Sequence, residues 1–446
     1  MTLLRSFARL LLLGCALAAT LPLFARDWFV DASAGTSGDG SEAAPFATLA
    51  AAQKASAPAD TIHVRAGSYS GGLALQDHQT LDGDEGAIVA NESGDAITLA
   101  NGATISRITV RAAAHAALRG NGARDLTLRD VHVELTGDAD GIVLTNGSGT
   151  ATIGGTITGS GSGVALRLDG GDAIVDVRGL SIEQKKGAAL ELRNLAGGSV
   201  TFDDQSTAST SAAARDAVVV IANKAPIVLP TLRITAASAT ALIVQKSASV
   251  TLRGAASVVA TKGARGVHVA DSNIDFDLRS VSVDGGIDGI LLERATGTFR
   301  VSGEATTAGS GGTIRNTRTR GIAIAKSSGI TIRNMTLENA VTENGKCASP
   351  PSDADARDCN AAVHLSEVDK IAFEGLRIHG SKQFAISGHG VRDLSIAGSE
   401  IRGAGDETLE SGVYLRDVAG ELRIIGTTLR DNAARQLDIA ATTGEL

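Results

Sequence analysis

The chain has 446 residues, 43% of them hydrophobic, a formal charge of −8, 53 glycines and few prolines, methionines or aromatics. That is ample for a large core built from short strands and tight turns, and it is not the profile of a helical protein. No basic run or basic–aromatic stripe marks a nucleic-acid surface, and beyond the N-terminus no stretch is long and apolar enough to span a membrane.

Residues 1–25 read as an export signal. Arg5 and Arg9 supply the basic region, Leu10 to Leu23 the apolar run, and Leu23-Phe24-Ala25 a cleavage site before Arg26. Loss of those two arginines takes the formal charge from −8 to −10. A rival reading takes "LLGC", Leu12 to Cys15, as a lipoprotein box with a lipid on Cys15, but the box sits early and apolar sequence continues past it. The expected location is periplasmic or extracellular, with residues 26–446 forming a single domain.

Residues 26–70 open with "DWFVDASAGTSGDGSEAAPFATLAAAQKASAPADTIHVRAGSYSG". This predicts a strand, a Gly/Asp-rich loop, Pro-Phe, a short helix capped by Thr48, and a second strand, the helix covering an open end of the core. His63 here, and His132 further on, fall in strands and read as buried structural residues.

From Ala96 onward one plan recurs, as in "GIVLTNGSGTATIGGTITG" from Gly141, "GVHVADSNIDFDLRSVSVDG" from Gly266 and "GIAIAKSSGITIRNMTLENA" from Gly321. A small residue opens a short aliphatic strand, a polar turn follows, and two more short strands complete a period of about 21 to 25 residues. Three such strands bury no apolar face alone. Stacked periods do, each strand pairing with its counterpart about 4.8 Å away. The Leu/Asn framework of leucine-rich repeats, the long blades of propellers and a 3.6-residue helical period are all missing. The fold expected is all-β, a right-handed parallel β-helix of about fourteen coils with a helix-capped N-terminal end.

The module from Asp27, with the repeat behind it, resembles secreted bacterial β-helix proteins of the pectate-lyase-like superfamily. That resemblance implies the fold and a polysaccharide-binding groove built from one strand face and its flanking loops. It names no reaction, because the superfamily mixes lyases, hydrolases, epimerases and proteins of no known chemistry. Asp138-Ala-Asp140-Gly141 begins like a calcium loop but lacks its closing glutamate and reads as a turn.

Ungapped alignment of successive coils turns the repeat into columns. Ile322/Ile324, Val363/Leu365 and Ile386/Gly388 point inward by alternation. One outer column then holds His268, Leu291, Ala323, His364, Ser387 and Tyr414, and a second holds Ala270, Glu293, Ala325, Ser366, His389 and Arg416. An insert at 341–361, "VTENGKCASPPSDADARDCN" and the alanine after it, precedes the strand of His364. Its two cysteines, Cys347 and Cys359, are predicted to form a local disulfide, the natural state of such a pair in an exported protein. Neither CxxC spacing nor a histidine pair supports a metal site there, and the only cofactor considered is Ca²⁺ on Asp353, Asp355 and Asp358. Two further long connections carry Arg315, Arg318 and Arg320, and Asp406, Glu407 and Glu410.

These residues define a candidate groove on the C-terminal coils. A lyase or epimerase needs a cation to neutralise a uronate carboxylate and a base for the C5 proton, and a hydrolase needs paired carboxylates. Arg320 and Arg416 are the candidate neutralisers, His364, His389 and Tyr414 the acids or bases, and Glu293, Glu367 and Asp369 the carboxylates. Arg315, Arg318, Arg320, Asp406 and Glu407 are the candidate substrate contacts. Against this, every solenoid decorates its exposed strands with such groups, and Trp28, Tyr69 and Tyr414 are the only Trp and Tyr residues available to stack on sugars. The Arg-x-Pro-x-x-Arg element of pectate lyases and the Asp-Pro-His of alginate epimerases are absent. Gly388-His389-Gly390 resembles one of four polygalacturonase elements, but the other three depart, so the triplet reads as a turn. The expected function is binding of an acidic polysaccharide on this face, with cleavage or epimerisation left open. The alternative is a non-catalytic surface or matrix rod. The final "QLDIAATTGEL" resembles the opening strand of a further coil, which predicts self-association or fraying at that edge.

Overall fold

Short aliphatic strands separated by polar turns have only one way to bury their inward residues, which is to lie on the same strand of the next coil. In the computed structural model, which describes residues 25–252, 257–347 and 359–441, they do so in about 15 turns of a parallel β-helix. The leader with Cys15, and Asp353, Asp355 and Asp358, lie outside the described residues.

Each coil contributes to three parallel ladders. Ladder one runs from Leu73–Ala74 through Val164–Gly171 and Arg320–Ala325 to Leu437–Ala441. Ladder two starts at Asp27–Val30 and Thr61–Val64. Ladder three starts at Gly67–Ser70 and Ala87–Asn91 and ends at Thr428–Arg430. The helix is Leu49–Ala55; the Thr48 hydroxyl accepts the Ala51 N–H at 3.2 Å, and Leu49 and Ala52 are buried against the first coil. Phe46 bridges to Val30, so the Pro-Phe module closes this end as its sequence implies.

Two column rules explain the repeat. The small residue opening each period faces the corner between ladders three and one, where a side chain from ladder three already fills the space. A Cβ on Gly289 would lie 2.7 Å from Ile314, and one on Gly321 2.9 Å from Leu337. The turn leaving ladder one is a single left-handed residue: Asn146, Asn194, Lys246, Asp271, Lys326, Glu367 and Asp417 all have φ near +50°, and Gly390 has φ +65°. Because the turn interrupts the ladder, its amides need other acceptors. Buried side chains supply them, Leu195 N–H bonding Asn223 Oδ1, Ser247 N–H bonding Ser272 Oγ and Ala295 N–H bonding Ser327 Oγ at 2.9–3.1 Å.

His63 and His132 correct the sequence reading. Alternation places both outward, where His63 meets Asp27 at 3.0 Å and His132 meets Thr156 at 2.9 Å, half-exposed and exposed respectively. Asp138 and Asp140 do form a turn, bonding Ser162 and the Val164 N–H. At the other end, Leu422, Ile424, Leu429 and Ile439 occupy core columns but are only partly buried, and Ile425 and Leu437 are 58% and 42% exposed. Among the described residues no helix is long and apolar enough to cross a membrane.

Candidate functional site

Parallel pairing without gaps fixes the outer columns residue by residue. His268, Leu291, Ala323, His364, Ser387 and Tyr414 are successive register partners on ladder one, as are Ala270, Glu293, Ala325, Ser366, His389 and Arg416. The columns expected from sequence are therefore physical neighbours.

Their exposure is uneven. His364 is 3% exposed, its Nδ1 lies 2.9 Å from the Ser387 hydroxyl, and burial, aided by the nearby Arg320 charge, pushes its pKa down to about 3. It is therefore a neutral imidazole at ordinary pH, suited to accept a proton from a hydroxyl but not to donate from an imidazolium. Tyr414 is 1% exposed, 5.0 Å from the Phe384 ring, with the Arg416 guanidinium 3.9 Å over its own ring. Arg416 is fastened at 3.0 Å to Asp438 and bonds the Leu415 and Asp438 carbonyls. Phe384, Tyr414, Ala361 and Cys359 form a small apolar cluster outside the main core, with Cys347 packed on it. The Cys347–Cys359 disulfide thus sits on this part of the outer face.

The remaining candidates do not converge on His364. His389 is half-buried with an unpartnered Nδ1. Glu367 is the left-handed turn residue itself, exposed and 3.8 Å from Lys326. Asp369 opens the next ladder beside Ser328 and Arg392, with a buried Oδ1 that has no hydrogen-bond partner. Both carboxylates lie around the corner from the face that carries His364. Glu293 sits earlier on ladder one, 3.8 Å from His268, whose pKa burial lowers.

The three long connections do lie side by side. Glu343 N–H bonds the Arg318 carbonyl, and Asn344 Nδ2 bonds Asp406 at 3.0 Å. Gln383 Oε1 accepts the N–H groups of Gly345 and Asn360 and holds both limbs of the insert. Glu410, 4% exposed, accepts the Asp406 and Glu407 N–H groups, and burial raises its pKa. Asp406 also meets Lys382 at 3.8 Å, while Glu407 and Arg318 are exposed. Arg315 is on ladder three, paired with Asp284 at 2.8 Å, and Arg320 opens its ladder-one strand, reaching the Cys359 carbonyl.

A further set of residues on this face was not singled out from sequence. Arginines held by carboxylates run along ladder one and its leading edge: Arg119 with Asp95, Arg167 with Asp140 and Glu191, Arg215 with Glu191, Arg265 with Asp288. Arg193 adds a third guanidinium to Glu191 at 3.7 Å, and that carboxylate is only 6% exposed. The signal was available, because Arg119, Val143, Arg167 and Glu191 share the column of His364. Alignment of only the later coils does not reach it.

With this geometry in hand, the chain is placed by its fold: it is a right-handed parallel β-helix. Solved structures similar to it include two from bacteria. The A-module of the Azotobacter vinelandii mannuronan C-5 epimerase has 12% identity over 89% of this chain and 92% of that one, with a TM-score of 0.26. The family 28 exopolygalacturonase of Yersinia enterocolitica has 10% identity over 92% of this chain and 79% of that one, also with a TM-score of 0.26. No family model and no curated protein matches the chain.

Proposed function

We propose that this chain is an exported β-helix protein that binds a linear acidic polysaccharide along the outer face of ladder one, from Arg119 to the C-terminal coils with His389 and Arg416. The observation that carries the reading is the file of arginine–carboxylate pairs. Each guanidinium has five N–H donors in a fixed fork, of which one carboxylate engages two. Arg119, Arg167, Arg193, Arg215 and Arg265 are 27–43% exposed, so donors remain for a ligand. Their pairs recur along the axis of a rod with a fixed coil spacing, which suits a polymer of repeating units. Export is supported by the leader-like residues 1–25 and the disulfide.

Turnover is a second reading, favoured by the buried His364–Ser387 contact. A lyase or epimerase acting there requires exposure of a pair that is now 3% and 0% exposed. The test is calorimetric titration with polyuronates, together with an assay for unsaturated or reducing-end products. Arg167→Ala with Arg215→Ala should weaken polyuronate binding at least tenfold and make what remains less sensitive to salt. If no acidic polysaccharide binds the unaltered chain, the reading fails.

A further inference from the structure

Ladder three contains a break in the core. Its last inward column reads Leu135, Gly159, Gln184, Thr210, Ile234, Val259 and Val281 from coil to coil. Aliphatic residues hold the column on both sides, but three consecutive coils place glycine, glutamine and threonine there. The wall opens at this point into a notch of about 500 Å³.

The floor of the notch is Gln184. It is 4% exposed, yet neither its amide nitrogen nor its amide oxygen has a hydrogen-bond partner. Its side chain lies in the space that Gly159 leaves, since a Cβ on Gly159 would fall 2.0 Å from Gln184 Oε1. A buried, unpaired amide is costly, and natural cores rarely keep one without a partner from outside the chain.

The rim says what that partner is. Thr158, Ser160 and Ser209 turn their hydroxyl hydrogens to the backbone carbonyls of Val133, Leu135 and Ile182, so their free lone pairs act as acceptors. Glu183 is exposed, Glu134 is held by Arg111 at 2.6 Å and Lys185 stands beside them, so the rim carries no excess of positive charge to hold an anion. A ligand with many O–H donors and no negative charge satisfies these groups, and Gln184 offers it both an NH2 donor group and a carbonyl acceptor. We infer that the notch over Gly159, Gln184 and Thr210 is a binding site for an uncharged sugar unit, distinct from the arginine-lined face of ladder one.

The test uses the full chain and neutral hexasaccharides of glucose, mannose and galactose, titrated by saturation-transfer NMR and calorimetry. At least one should bind, and Gln184→Leu should weaken it tenfold or more without lowering the melting temperature, because the substitution removes the unpaired amide. Gly159→Ala, which drives a methyl group into the Gln184 amide, should weaken it likewise. If none of the three binds, or if both variants bind as the parent does, the notch is a solvent pocket and the inference is overturned. Polyuronate binding is measured on the same variants and should persist. Its absence from every protein would sink the acidic-polymer reading alone.

Discussion

Burial of His364 makes the stability of the C-terminal coils depend on pH in a calculable way. The imidazole has an ordinary pKa of 6.5 and is held at about 3 in the folded chain. The folded state therefore stays neutral while the unfolded chain takes up a proton, so stability is fully present above pH 6.5 and is lost as pH falls toward 3. Linkage over that interval gives a loss of about 2 kcal/mol between neutral pH and pH 5. His268 and His379, whose pKa values burial also lowers, add to the same trend, and Glu410, raised by burial, opposes it. His364→Gln removes one contribution and leaves those others, so the quantity to measure is the difference between parent and variant. Urea unfolding at pH 7.5, 6 and 5 should show the parent losing about 2 kcal/mol more than the variant. Parallel pH profiles, or a His364 ring titrating near 6.5 by NMR, would refute the claim that this imidazole is buried away from solvent.

Glu191 gathers Arg167, Arg193 and Arg215 at 2.7–3.7 Å, so Glu191→Ala strips three cations of their shared anion. Each arginine is more than a quarter exposed and can turn to water, which holds the expected cost to about 2 kcal/mol in urea unfolding, below the roughly 3–5 kcal/mol of breaking a fully buried pair. A change within about 0.5 kcal/mol would mean that the cluster is only surface decoration. We also propose that the coil bearing exposed Ile425 and Leu437 pairs with a second copy of the chain. Light scattering on the 446-residue chain should show a concentration-dependent dimer that Ile425→Lys disperses, and a monomer at every concentration would rule it out.

The ladders were legible in the sequence because a parallel stack repeats the same demand at each coil. An inward Val or Ile meets only its counterparts above and below, so ungapped alignment is already a register. Gly388-His389-Gly390 shows the limit of that rule. Its turn role was readable, since Gly390 occupies the left-handed position held next door by Glu367 and Asp417. The space above Gly388 was not: a Cβ there would lie 2.8 Å from Val391 and 2.9 Å from Leu415, so neighbouring core residues have already taken the room of the missing side chain. The burial of His364 and Tyr414 was equally hidden. Alternation places both outward, and the apolar cluster at this face joins Phe384 of the repeat to Cys347 and Cys359 of an insert that has no period.

A solenoid whose stability is a sum over neighbouring coils tolerates an exception in any one column at a local cost. Exceptions are therefore where its surface acquires chemistry, and they come in two kinds here. The outward column changes from Val143 to the Arg167–Glu191 cluster and back to Val219, which places fixed charge on one stretch of ladder one. The inward column of ladder three changes from Leu135 to Gly159, Gln184 and Thr210 and back to Ile234, which places unpaired polarity in a recess. Gln184 closes one coil and Glu191 lies in the strand that opens the next, only a short corner apart in the chain. Two independent departures from an otherwise regular pattern on the same coils concentrate polar groups there, while the neighbouring coils return to aliphatic columns. A binding role explains that concentration. The needs of folding alone do not, because Leu at Gln184 would serve the core better.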